Sequence, residues 1–308
     1  VIIGSSNSAP SVSSALIGPS DPATNDDLNA AWNFVDPDNG DTELDFEIEW
    51  YRGGVHVPAY DGMPTLPHTA TTKGESWHFE VRVSDGIDWS PVTNSQSVTI
   101  SNTAPTVTDV VISPAAPTSS EDLLVSANYE DLDGDFEANP TIRWYRDGQL
   151  QSQFTNTIVI SSDTTNRGEV WMVRYTPNDG TDNGAEVQSA SVTIGNSLPT
   201  IEALSIGENT TSLTPLELSL STQDADDDSL TTTIHWLRDG FQVEALNNQT
   251  TVSTDWLGVG QSWSARVILD DGFAQTSPVT SSAVLINNIM PYAEFTFTDN
   301  PLIEGITV

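Results

Sequence analysis

Four landmarks recur along this chain at one period, and that period limits the fold more than any other property of the sequence. The blocks NSAP, NTAP, NSLP and NIMP end at Pro10, Pro105, Pro199 and Pro291, steps of 95, 94 and 92 residues. WYRGG, WYRDG and WLRDG begin at Trp50, Trp144 and Trp236, and a second tryptophan follows at Trp77, Trp171 and Trp263. Asp85-Gly86, Asp179-Gly180 and Asp271-Gly272 keep the same two steps, 94 and 92. A unit of about 93 residues is large enough for one domain with its own core. The boundaries read from the landmarks are 9–101, 102–195 and 196–287 for three whole repeats. VIIGSSN resembles the closing SVTISN and SVTIGN segments, so 1–8 reads as the last strand of a preceding repeat, and 288–308 as the start of a further, incomplete one.

Inside each unit the hydrophobic pattern is that of strands. Trp77, Phe79, Val81 and Val83 alternate with His78, Glu80, Arg82 and Ser84, the period of a strand with one buried face. Trp171, Val173 and Tyr175 repeat this, as do Trp263, Ala265, Val267 and Leu269. Ile48-Trp50, Ile142-Trp144 and Ile234-Trp236 alternate before glycine-containing turns, and SVTI, SVTI and AVLI close the units. About seven short strands per unit fit a two-sheet sandwich. The two tryptophans of each unit stand in inward register on different strands and are expected to face one another across the sheets.

Charge and cysteine count then remove whole classes of function. Nine Lys and Arg stand against 44 Asp and Glu, a formal charge of -35, and Lys73 is the only lysine. Phosphate contacts need clustered cations, so nucleic acid is excluded as a partner and anionic membranes are repelled. No apolar run approaches the ~18 residues of a membrane span, so direct membrane insertion of this segment is not expected. With no cysteine, neither disulfides nor thiolate zinc sites exist. His56, His68, His78 and His235 show no metal-ligand spacing. No G-x-S-x-G, phosphate-binding loop or H-E-x-x-H occurs, so the chain is not expected to be an enzyme.

The opening N-x-x-P, the acidic D-x-D cluster ahead of W-[YL]-R-[DG]-G, the K-G-E-[SV]-W-like turn and the closing D-G turn together resemble a known class. It comprises the immunoglobulin-like, polycystic-kidney-disease-like and cadherin-like repeats strung along bacterial and archaeal surface proteins. The resemblance spans the chain. It implies an all-β fold of tandem immunoglobulin-like β-sandwich domains in an extended array, with roles as spacers, stalks, adhesins or fibre subunits, often with bound calcium.

The carboxylates gather in one loop per repeat: Asp36, Asp38 and Asp41; Asp131, Asp133 and Asp135; Asp224, Asp226 and Asp228. In a sandwich this loop shares a pole with the entering linker and the D-G turn. The expected ligand sets are therefore Asn7, Asp36, Asp38 and Asp85; Asn102, Asp131, Asp133 and Asp179; and Asn196, Asp224, Asp226 and Asp271. Asp41, Asp135 and Asp228 are secondary candidates. So are Glu75 and Glu169, which sit two residues before a tryptophan and are expected to reach the joint with the neighbouring repeat; Gln261 replaces them in repeat three. Oxygen-only donors in an irregular loop suit a structural Ca²⁺ within or between domains, while Asx turns are the competing reading of the same residues. An EF-hand is excluded, because counting from Asp131 the sixth position is Phe136 and the twelfth Ile142. Asn209 and Asn248 head N-x-T sequons for possible glycosylation.

The function expected from these features is an extracellular or cell-surface structural array, a stalk, adhesin shaft or filament subunit stiffened by calcium at the domain junctions. Its partners would be neighbouring repeats and identical chains in a fibre. The alternatives are an array of surface-polysaccharide-binding modules using loop aromatics such as Tyr60 or Trp89, and the tail of a large secreted hydrolase.

Overall fold

The structure is a computed structural model that describes residues 6–207 and 211–289. The alternating segments of repeat one become β1 (Ser11–Gly18), β2 (Leu28–Val35), β3 (Asp45–Arg52), β4 (Val55–His56), β5 (Thr65–Leu66), β6 (Ser76–Ser84), β7 (Thr93–Asn94) and β8 (Val98–Thr99). They form two antiparallel sheets, β1-β2-β5 and β4-β3-β6-β7, with β8 also paired to β6. Repeat two supplies β9 (Thr106–Ser113), β10 (Leu123–Glu130), β11 (Thr141–Arg146), β12 (Gln149–Leu150), β13 (Val159–Ile160), β14 (Val170–Thr176), β15 (Val187–Gln188) and β16 (Val192–Thr193). Repeat three supplies β17 (Thr200–Ile206), β18 (Leu216–Gln223), β19 (Thr231–Arg238), β20 (Phe241–Gln242), β21 (Thr251–Val252), β22 (Ser262–Asp270), β23 (Val279–Thr280) and β24 (Val284–Leu285). Both keep the three-plus-five arrangement. The chain is thus a tandem array of immunoglobulin-like sandwiches.

By compactness the chain parts into two units, Val1–Pro117 with Glu121–Ile194, and Thr118–Ser120 with Gly195–Val308. The first unit holds the sandwiches of repeats one and two, and the second is built on repeat three. Residues 1–5 of the strand expected at 1–8 and residues 290–308 of the partial repeat expected at 288–308 lie outside the described residues, as does Asn209.

Each sandwich has its own core. In repeat one, Ile17, Leu28 and Leu66 of the smaller sheet meet Ile48, Trp50, Trp77, Phe79, Val81 and Val83 of the larger. The burial of β6 alternates along its length, as the period-two pattern requires. All six repeat tryptophans are fully buried. They do not, however, face one another across the sheets. β3 and β6 are neighbours in one sheet, with Trp50 opposite Phe79 and Arg52 opposite Trp77, so the two indoles lie side by side on a single inner face. In repeat two they meet edge to face at 6.2 Å. Strand phase fixes which face a residue takes but not which sheet its strand joins.

Burying an indole N–H without a partner is costly, and each one finds an acceptor. Trp50, Trp144 and Trp236 donate to the carbonyls of Met63, Thr157 and Gln249 at 2.8, 2.8 and 2.9 Å. Trp77 and Trp171 donate to Glu75 and Glu169 at 3.0 and 2.9 Å, and Trp263 to Gln261 Oε1 at 3.1 Å.

Candidate metal centres at the domain poles

The loop between the second and third strands of each sandwich, the entering linker and the D-G turn converge at one pole. At the D-G turn, Gly86, Gly180 and Gly272 take φ of +91°, +93° and +88°, a region closed to most side chains. The chain can then fold back so that one oxygen of the preceding aspartate accepts two N–H groups. Asp85 Oδ1 accepts from Ile87 and Asp88 at 2.7 and 2.8 Å, Asp179 Oδ1 from Thr181 and Asp182 at 2.6 and 2.7 Å, and Asp271 Oδ1 from Phe273 and Ala274 at 2.7 and 2.6 Å. The second oxygen accepts from the linker amide: Asn7 to Asp85 at 3.1 Å, Asn102 to Asp179 at 2.8 Å, Asn196 to Asp271 at 2.8 Å. Asp88 and Asp182 also accept from Asn7 and Asn102, at 2.7 and 2.9 Å.

The acidic loops are ordered in the same way. Asp36 Oδ1 accepts the Asp38 N–H at 2.6 Å; Asp131 Oδ1 accepts those of Asp133 and Asp135 at 2.8 and 3.1 Å; Asp224 Oδ1 accepts those of Asp226 and Asp228 at 2.9 and 3.1 Å. In all three repeats the other oxygen of the first aspartate, Oδ2 of Asp36, Asp131 and Asp224, is buried with no hydrogen-bond partner among the described residues. An orphaned carboxylate oxygen is costly unless a cation answers it.

Three carboxylates bring ligand atoms within 4.8 Å of one another at each pole: Asp36, Asp41 and Asp85; Asp131, Asp135 and Asp179; Asp224, Asp228 and Asp271. Against the expected sets, the third aspartate of each loop joins the group in place of the middle one. Asp38, Asp133 and Asp226 instead turn toward the linker and accept the N–H of Ser8, Thr103 and Ser197 at 2.6, 2.7 and 2.9 Å. Each middle aspartate anchors the incoming strand, and its neighbour two or three residues on closes the triad. Glu75 and Glu169 lie elsewhere, held by the tryptophan indoles, by the N–H groups of Thr72 and Asn166, and by Arg52 and Arg146 at 3.1 Å each. Gln261 does the same work, accepting from Trp263 and the Gly258 N–H. An indole needs a carbonyl-type oxygen and no charge, which is why repeat three tolerates the amide.

The electrostatics follow the wiring. The N–H groups of Asp88 and Ile87 hold the Asp85 carboxyl below the ordinary aspartate range despite its burial, and the Asn196 amide does the same for Asp271, helped by the N–H groups of Ala274 and Phe273. Burial pushes Asp179 up, but Asn102, the Asp182 and Thr181 N–H groups and Lys73 outweigh it and bring it down. Asp41 is pushed up, by desolvation first and then by the charges of Asp36, Asp38 and Asp85.

Lys73 and Thr24 were not among the sequence candidates. Both belong to repeat one and reach the pole of repeat two. Lys73 Nζ donates to Asn102 Oδ1 at 2.8 Å and to Asp135 Oδ2, and Thr24 Oγ1 donates to Asp133 Oδ1. The bond to Asp135 holds the Lys73 ammonium more firmly protonated than an ordinary lysine. Other proposed features have structural duties. Tyr60 packs edge-on against Trp77, Trp89 lies under the Arg82 guanidinium, and Asn248, at φ +60°, accepts the Ile234 N–H at 3.0 Å.

No protein-family model and no curated protein matches the sequence. Solved structures that resemble it are strings of domains. The FN1–FN3 domains of chicken CNTN1 match over 91% of this chain and 100% of theirs, at 12% identity and a TM-score of 0.27. Immunoglobulin domains 1–5 of Sidekick-1 match over 92% of this chain at 12% identity and a TM-score of 0.33, and the match spans 59% of that longer chain. The three N-terminal domains of the outer capsid protein Hoc of bacteriophage RB49 match over 91% and 100% at 13% identity and a TM-score of 0.28. The fold assignment rests on the sheet order and cores described above. Among the described residues no helix is long and apolar enough to cross a membrane.

Proposed function

We propose that this chain is an extracellular structural array, a stalk, adhesin shaft or filament segment, whose sandwiches bind Ca²⁺ at their poles and are stiffened by it. The observation that carries the metal reading is the orphaned oxygen: Asp36, Asp131 and Asp224 each bury an unpartnered Oδ2 in register, beside two further carboxylates. A hard divalent cation answers that oxygen and cancels the repulsion that surrounds it. All-oxygen donors on irregular loops favour calcium over magnesium, which demands a tighter octahedron. Asp36, Asp41 and Asp85 and their counterparts would supply the ligands, with the linker asparagines positioning the D-G aspartates. A cation there would join the linker, the acidic loop and the D-G turn into one rigid pole, which suits a load-bearing spacer. The test compares melting and small-angle scattering in EDTA and in excess calcium. The reading expects a higher melting temperature and a narrower distribution of shapes with calcium, and identical curves would refute it.

A further inference from the structure

The poles of repeats one and two offer the same carboxylate triad, and pole two also receives side chains from the sandwich that precedes it. Within the first compact unit, Lys73 of the loop before β6 and Thr24 of the loop between β1 and β2 descend from repeat one onto the pole of repeat two. The Lys73 ammonium bonds Asn102 Oδ1 and Asp135, and the ion pair is only about one third exposed on each side. Asn102 is thereby used at both ends, its Nδ2 donating to Asp179 and Asp182 while its oxygen takes the lysine. The same linker is pinned from behind: the Ser101 N–H donates to Pro22 O at 2.7 Å, and Ala23 bridges Ser101. Among the described residues no lysine or arginine pairs with Asp36, Asp41 or Asp85.

We propose that the acidic pole of repeat two is a docking site for the Lys73 ammonium of repeat one, which latches this joint without a metal and competes with a divalent cation for the pole. The latch itself stands on the contacts above; the competition rests on the calcium reading of the poles. Lysine is suited to the task. Its compact charge on a long stem can sit where an ion would sit, yet it is tethered and cannot be lost by dilution. The price is weaker uptake of free cation at that pole, because Asp135 must release the ammonium before it can face an ion.

The test uses the full 308-residue chain, isotope-labelled, as wild type, Lys73→Met and Lys73→Arg. Methionine keeps a flexible apolar stem without the charge, and dispersed amide spectra verify that both sandwiches stay folded. In EDTA, residual dipolar couplings from β6 and β14 should fit one alignment tensor in wild type and Lys73→Arg and two in Lys73→Met. Unchanged couplings in Lys73→Met overturn the latch. In a calcium titration, the Gly180 amide of pole two should respond with an affinity about tenfold weaker than the Gly86 amide of pole one in wild type, a ratio in the usual range for coupled events. Lys73→Met should abolish that ratio. Equal midpoints in wild type overturn the competition. If neither amide responds to calcium in any form, the calcium reading fails and takes the competition with it, while the EDTA couplings still decide the latch.

Discussion

The poles of repeats one and two are built from the same parts and balanced differently. Pole two closes its acidic loop in DLDGD, where both the Asp133 and Asp135 N–H groups bind Asp131, and a lysine from the neighbouring sandwich neutralises part of the charge. Pole one has the longer DPDNGD loop. Only the Asp38 N–H reaches Asp36, and Asp41 stays exposed, its carboxyl pushed up by local desolvation and then by the surrounding aspartates. On the cation reading proposed above, the Lys73 ammonium makes pole two the weaker cation site of the pair.

The comparison assumes that the two sandwiches are equal inside, and the largest expected effect tests that. Trp50→Ala and Trp144→Ala each empty a fully buried site and should each cost about 3–5 kcal/mol in calorimetric unfolding of their own domain. Markedly unequal losses would move the difference between the repeats from the poles into the cores. Calcium comes next. At a concentration about 100 times the dissociation constant of pole one, linkage gives repeat one about 2.7 kcal/mol. Repeat two, binding about tenfold more weakly, gains about 1.4 kcal/mol. At roughly 4–8 °C per kcal/mol for a domain of this size, the two transitions should separate visibly, and equal shifts would contradict the ranking. The smallest effect concerns Glu75. Because its job is to accept an indole N–H, Glu75→Gln should change stability by less than about 0.5 kcal/mol and leave calcium binding unaltered, and a loss of calcium affinity would restore it to the joint.

Much of this was legible in the sequence. The period set the repeat, the alternation in β6 set the buried face of Trp77 through Val83, and the paired acidic loop and D-G turn located the poles. What escaped was detail decided by backbone geometry. Spacing alone made Asp38 as good a ligand as Asp36, but the chain must also satisfy the Ser8 N–H of the incoming linker, and the middle aspartate is the one that can reach it. Strand phase likewise could not say that β3 and β6 share a sheet. The Lys73 contact had a signal that went unused: the chain has one lysine, and its register holds Arg167 in repeat two and Val259 in repeat three. The single lysine among nine basic residues in a chain of charge -35 is a place to look for an acidic partner.

The central claim is that the three aspartate triads are cation sites, and isothermal titration of calcium into the full chain tests it most directly. The comparison is with the triple variant Asp36→Asn, Asp131→Asn and Asp224→Asn, which keeps each loop's Oδ1 acceptor but puts a neutral amide nitrogen in place of the orphaned oxygen. The account predicts saturable binding by the wild type, lost in the folded variant. Equal heats in both proteins, or no saturable heat in either, would contradict it.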